Sequence, residues 1–272
     1  MRARNSTILL VGAGRMGGAL LKGWIAKKFG PIVVVEPKPS PTLRRLAKAG
    51  GFAIRAQIED VDAARIAVCV VAIKPQVLKT EAIRLRAIAE AGALLVSIAA
   101  GTSTKTLARA CGRKARIIRA MPNLPGAIGR GISALYASRQ ASQRDRATAE
   151  TLLAALGDTV WVKREAMVDA VTAVSGSGPA YVFLLVEALA RAAREEGLSP
   201  ALAGKLARAT VAGSGALLGA EKRAAADLRR DVTSPGGTTE AALRILMEDD
   251  AFVRLMTRAV AAARKRATEL SG

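Results

Sequence analysis

The sequence predicts two domains: a doubly wound α/β sheet over residues 1–163 and an all-helical domain over 164–272. Three observations carry this. Short apolar runs of strand length alternate with helical patterns as far as Val162. Beyond Val162 the strand signals stop, and segments built from Ala, Leu, Arg and Glu follow. A glycine-rich stretch follows the first apolar run, where a strand-to-helix turn belongs.

The elements follow in order. "TILLV" (7–11) is a strand, and a helical pattern runs from about Arg15 through Lys28. "IVVVE" (32–36) is the second strand, with a helix after the bend at Pro39 to Pro41. Further strands are expected at "IAVCVVAI" (66–73), "ALLVSIA" (93–99), "ARIIRA" (115–120), "ISALYA" (132–137) and "DTVWV" (158–162). Helical segments lie between most of them, which argues for a parallel sheet. Helices are then expected at about 165–174, 179–196, 200–220, 224–231, 238–247 and 249–270. "GLSP" (197–200) ends one helix at Gly197 and opens the next at Ser199-Pro200. "SGSGP" (175–179) reads as another break. A third falls in "RRDVTSPGGTTEAAL" (229–243), where Ser234-Pro235-Gly236-Gly237-Thr238-Thr239 all resist helix interiors.

Composition narrows the function. The chain has 272 residues, 51% of them apolar but only 3% aromatic, so its core must be aliphatic. No apolar run approaches the length needed to cross a bilayer, and "MRARNSTILLVGAG" has no apolar region followed by a cleavage site. The expectation is a cytoplasmic chain with no membrane partner. Cys69 lies in a strand and Cys111 ends a helix, with spacing that suggests neither a disulfide nor a metal, and none is expected. The net charge is +20, yet its Arg and Lys residues are scattered over helix faces such as "ALARAAREEG". With no basic arm and no RNA-binding aromatic motif, nucleic acid is not expected as a partner.

The stretch "VGAGRMGGALLKG" spaces Gly12, Gly14 and Gly17 as G-x-G-x-x-G between a strand and a helix, with Ala13, Arg15 and Met16 inside the turn. Gly12 permits the tight turn, Gly14 lets backbone approach a pyrophosphate, and Gly17 lets the helix pack on the strand. The first domain is therefore Rossmann-type and dinucleotide-binding. Glu36, ending the second strand, suits an adenosine ribose and would repel a 2′-phosphate, whereas Lys38 could pair with one. The reading leans weakly to NADH and leaves NADPH open.

Several blocks, in order along nearly the whole chain, resemble pyrroline-5-carboxylate reductase: "GAGRMG" (12–17), "AIKPQ" (72–76), "VSIAAGT" (96–102), "IIRAMPNLP" (117–125), "AVSGSGPAYVF" (173–183) and "SPGGTTEA" (234–241). The resemblance implies hydride transfer from NAD(P)H to the C=N carbon of 1-pyrroline-5-carboxylate, giving L-proline. It implies a helical domain that forms a homodimer, which some members assemble further, up to decamers. Thr239 is implied as the hydroxyl at the substrate nitrogen, with Gly236, Gly237 and Thr238 holding the carboxylate and Ser234 adding a hydroxyl. Ser175 to Gly178 would free backbone near cofactor and substrate. Glu165 matches a position near the substrate amine, though it reads equally as an acid complementing a helix N-terminus. Ala72, Ile73, Lys74 and Pro75 after one strand, Ala99 and Ala100 after the next, and Asn123 would border the cofactor. Leu124 stands where the family more often has Thr. Asp231 stands where the family often has a neutral amide that reaches the adenosine phosphate, and a carboxylate there would disfavour NADPH.

Chemistry agrees with the resemblance. The chain has no histidine, which removes the usual near-neutral general acid. A cyclic imine tolerates this, because its nitrogen can carry the proton before hydride arrives. Three other readings compete. The β-hydroxyacid dehydrogenases place Lys and Asn four residues apart on a helix, but Lys205 is followed at that spacing by Ala209. A reductase of another cyclic imine acid would use the same carboxylate site. A non-catalytic nucleotide- or nucleic-acid-binding protein would not need the intact "SPGG" turn.

Overall fold

The computed structural model describes residues 7–271. The opening MRARNS, part of the stretch on which the absence of a leader was expected, lies outside them. The chain divides into two compact units, 1–176 with 263–272, and 177–262.

The first unit is built on an eight-stranded sheet in the order β3-β2-β1-β4-β5-β6-β7-β8. The strands are β1 (Thr7–Val11), β2 (Ile32–Val35), β3 (Ala53–Arg55), β4 (Ile66–Val71), β5 (Leu94–Ser97), β6 (Arg116–Met121), β7 (Gly131–Ala137) and β8 (Gly157–Trp161). Seven of them match apolar runs expected from sequence. The short β3 does not, because "AIR" offers too few residues for any periodicity. The helices of this unit are α1 (Arg15–Ala26), α2 (Pro41–Gly50), α3 (Pro75–Glu81), α4 (Arg86–Glu90), α5 (Thr104–Cys111), α6 (Gln143–Leu153) and α7 (Met167–Val171).

The central strands read as continuous apolar runs because both faces are covered. Leu10, Val34, Val70, Val96 and Ile118 point to one core with Leu20 and Trp24 of α1. Leu9, Val11, Cys69, Val71 and Leu95 point to the other, with Leu85 and Leu107. The Trp24 indole donates to the Leu152 carbonyl at 2.8 Å, so this fully buried ring leaves no orphan N–H. Pairing departs from the all-parallel expectation once, between β6 and β7. Their connection holds only a 3₁₀ turn at Leu124–Ile128, too short for a crossover helix, so the chain returns antiparallel. The longer link carrying α6 then restores a parallel β7–β8 pair.

The expected helix over 165–174 and the break at 175–179 are both revised. α7 continues into a π-helix at Thr172–Gly176, with a bend only at Ser177. The hydroxyls of Thr172 and Ser175 donate to the carbonyls of Val168 and Val171, at 2.8 and 3.1 Å. Polar residues that signal a turn are thus satisfied within the helix itself.

The second unit contains α8 (Gly178–Glu195), α9 (Pro200–Ala220), α10 (Ala225–Asp231) and α11 (Thr238–Met247), and α12 (Ala251–Ser271) begins within it. Ser199 caps α9 by accepting from the Leu202 N–H at 3.4 Å, and Pro200 takes the first helical position. α8 and α9 pack together. Val182, Phe183, Leu184, Leu185 and Leu189 of α8 nevertheless remain exposed, as do Leu217 and Leu218 of α9. One expectation needs correction here: the helical stretch Met167–Glu195 is long and apolar enough to cross a bilayer. Its apolar residues are interspersed with small and charged ones, so a search for uninterrupted runs passes over it.

Candidate active site

Strand β1 ends at Val11, and the turn that follows is shaped by its glycines. Gly12 holds φ +92°, a conformation costly for any residue with a side chain. A Cβ placed on Gly17 would lie 2.2 Å from the Gly12 carbonyl oxygen, so α1 rests directly on the turn. Gly14 is the N-cap of α1, no side chain caps it, and a Cβ there would meet nothing within 4 Å. The first turn of α1 carries no acidic residue of its own. The turn is thus tight at Gly12, open at Gly14 and closely packed at Gly17.

A cleft of about 730 Å³ lies beside this turn at the carboxyl ends of β1, β2 and β4, where the strand order reverses. Gly12, Gly14, Glu36, Ala72, Ile73 and Lys74 line it. Gln57, Glu81 and Arg84 line it too, residues that no sequence motif singled out. The Glu36 carboxylate accepts from the Ala13 N–H at 3.0 Å and the Lys38 N–H at 3.4 Å. It is thereby fixed at the glycine turn. The Lys38 side chain is exposed, and Arg84 is shared by Glu81 and Glu59 at 3.2 and 3.7 Å.

Arg15, Met16, Pro75, Ala99, Ala100 and Asn123, also expected at the cofactor, are not among the residues that line this cleft. The strand expected to reach Ile73 stops at Val71; Lys74 is the N-cap of α3, and Pro75 its first residue. Arg15 is exposed, whereas Met16 packs against the core. Ala99 is buried, Ala100 is half-buried, and the Ala99 N–H donates to Ser97 Oγ at 3.4 Å. The Asn123 side-chain oxygen accepts from the Ile132 N–H at 3.0 Å and so holds the β6–β7 return. Burial raises the pKa of both thiols, that of Cys111 to about 11 despite the lowering pull of Arg86, so neither is a ready nucleophile.

Glu165 sits in a network that sequence reasoning missed. Its carboxylate accepts from the Thr104 N–H at 2.7 Å and the Thr104 hydroxyl at 2.8 Å, at the first residue of α5. It also lies 3.5 Å from Arg119 Nη1, while Arg119 Nη2 reaches Asp169 at 3.0 Å. Glu165 thus serves the N-terminus of α5 and not that of the helix that follows it in sequence. The signal was present: Arg119 is a charged residue inside an apolar strand, and it is buried.

In the second unit the "SPGG" break forms the open start of α11. Gly236 holds φ +72°, and Gly237, the N-cap, donates to the Ser234 carbonyl at 3.0 Å. A Cβ on Gly237 would sit 2.5 Å from Ser234 Oγ. No side chain caps the helix, and Thr238 and Thr239 are its first two residues. Asp231 is paired with Arg223 at 2.7 Å, and this hydrogen bond leads, before that from Glu221, in raising the Arg223 pKa. The Asp231 carboxylate is thus shared with an exposed Arg223. Among the described residues no His, Cys, Asp and Glu cluster could hold a metal.

The sheet, the glycine turn and its cleft define a dinucleotide-dependent oxidoreductase. Residues 165–270 match the family description "Pyrroline-5-carboxylate reductase dimerisation", and residues 7–101 match "NADP oxidoreductase coenzyme F420-dependent". The chain is 38% identical over 265 residues to pyrroline-5-carboxylate reductase of Pseudomonas aeruginosa, covering 97% of this chain and 96% of that one. It is similar to the solved pyrroline-5-carboxylate reductase of Coxiella burnetii, with a TM-score of 0.90 at 33% identity over 99% of this chain and 100% of that one. The Plasmodium falciparum pyrroline carboxylate reductase, solved with NADP bound, gives a TM-score of 0.81 at 26% identity, over 99% of each chain. The chain belongs to the pyrroline-5-carboxylate reductase family.

Proposed function

We propose that this protein reduces 1-pyrroline-5-carboxylate to L-proline, the last step of proline biosynthesis, in the cytoplasm. The observation that carries the reading is the start of α11, where the N-cap Gly237 offers no capping side chain and two threonines open the first turn with their hydroxyls. A carboxylate is favoured there by the helix dipole and by charge-assisted hydrogen bonds. The Thr238 N–H holds the substrate carboxylate, joined by those of Gly236 and Gly237 as they exchange Glu240 and the Ser234 carbonyl for it, and the Thr239 hydroxyl hydrogen-bonds the imine nitrogen. The substrate nitrogen brings its own proton, so a site without histidine suffices.

The residues of the glycine turn fit a nicotinamide dinucleotide, which supplies the hydride when bound. α1 presents its N-terminus to the pyrophosphate, and Glu36 accepts from the ribose hydroxyls. The relative solved with NADP supports a nicotinamide cofactor, while the Glu36 carboxylate, held at the turn, leans the choice toward NADH. The dimerisation match and the exposed apolar side chains of α8 and α9 support a homodimer through the C-terminal helices. The same partner explains the membrane-length helix without a bilayer.

Thr239→Val tests the site. Turnover is expected to fall by roughly a hundredfold, as when a preorganised donor is removed from a reacting centre. NADH binding, read by quenching of its fluorescence, is expected to stay within twofold of the parent. Unchanged turnover would remove Thr239 from the mechanism.

A further inference from the structure

The turn that is to receive the substrate carboxylate already holds one from the chain itself. Glu240 Oε2 accepts from the Gly236 N–H at 2.7 Å, a short charge-assisted hydrogen bond. Glu240 is the third residue of α11, and its exposed side chain folds back over the helix start. We propose that Glu240 tunes affinity and release at this turn as a tethered competitor that substrate must displace from Gly236, and that returns to help expel the product.

The proposal rests on the assignment of the substrate carboxylate to this turn, and its logic is electrostatic. A helix N-terminus stabilises an anion whether it arrives from solution or from the next turn of the chain. The tethered anion has a high effective concentration and forms its bond at little entropic cost. An incoming carboxylate must therefore exchange with Glu240 and pass close to its charge. A ligand without a carboxylate gains nothing from the exchange. The same competition acts on L-proline, which carries the identical carboxylate. Glu240 thus weakens substrate and product binding together, which speeds product release.

Glu240→Ala removes both competitor and charge. The KM for 1-pyrroline-5-carboxylate and the inhibition constant of L-proline are expected to fall together by roughly three- to tenfold. Glu240→Gln keeps a neutral acceptor for Gly236 and is expected to fall between parent and alanine variant. Cofactor KM is expected to stay unchanged in both. Thr238→Pro separates this proposal from the reading beneath it. It deletes an N–H at the first helical position, where proline is tolerated, after a Gly237 whose ψ of 169° suits a following proline. If Thr238→Pro raises the substrate KM while the Glu240 variants leave both constants unchanged or higher, the competitor is overturned and the carboxylate site stands. If Thr238→Pro leaves the substrate KM unchanged, the carboxylate does not bind here and both fall.

Discussion

Arg119→Met is expected to destabilise the protein by about 3–5 kcal/mol, the usual cost of removing one member of a buried ion pair. Arg119 is 3% exposed and lies between the carboxylates of Asp169, at 3.0 Å, and Glu165, at 3.5 Å. Methionine fills similar volume, so the loss reports the charge and not a cavity. Asp169 is 6% exposed and would keep its desolvation cost without this cation. In a chain of this size the melting temperature should drop by roughly 10 °C. The damage should reach function, because Glu165 fastens the first residue of α5, which follows the Ala99–Ala100 loop. Arg119→Lys, which keeps the charge but not the forked donor, is expected to recover part of the stability. The double variant Arg119→Met with Asp169→Asn is expected to be less destabilised than Arg119→Met alone. A melting temperature within about 2 °C of the parent for Arg119→Met, less than the shift from about 1 kcal/mol, would show that the network is dispensable.

Gly17→Ala is expected to raise the cofactor KM by roughly a hundredfold, since a misplacement of about 1 Å at a binding group can cost that much. The added Cβ would lie 2.2 Å from the Gly12 carbonyl oxygen and 3.1 Å from Ala72 Cβ, so α1 must lift away from the turn. Its N-terminal N–H groups then leave the pyrophosphate position. Gly18→Ala is the matched control. There the new Cβ would sit 3.5 Å from the nearest atom, the Ala13 carbonyl oxygen, an ordinary contact. It should leave cofactor KM unchanged and gain about 0.5–1 kcal/mol of helix stability. Equal behaviour of the two variants would contradict the packing role given to Gly17.

The parts of the molecule that were legible in the sequence share a property: their signal is local. The central strands were readable because both sheet faces are covered, so apolar runs such as "TILLV" and "IAVCVV" stand out. The glycine turn and the "SPGG" turn were readable because each needs backbone conformations that few residues adopt. What was not legible depends on partners distant in sequence. Arg119 meets Asp169 across 50 residues, and no spacing rule links them. The antiparallel β7 follows from a connection too short for a helix, and β3 from three residues lying beside β2. Ser175 misled for a different reason. Its hydroxyl returns to its own helix, so a serine-glycine stretch that reads as a break is accommodated by a π turn. Glu240 lay in plain view, but only the folded turn shows that it reaches Gly236.

The most direct test is product analysis after mixing the purified protein with 1-pyrroline-5-carboxylate and either NADH or NADPH. The account predicts L-proline in amounts equal to the cofactor oxidised, with NADH the better donor at low concentration because of Glu36. No L-proline with either cofactor would contradict the central claim; a strong preference for NADPH would contradict only the role given to Glu36.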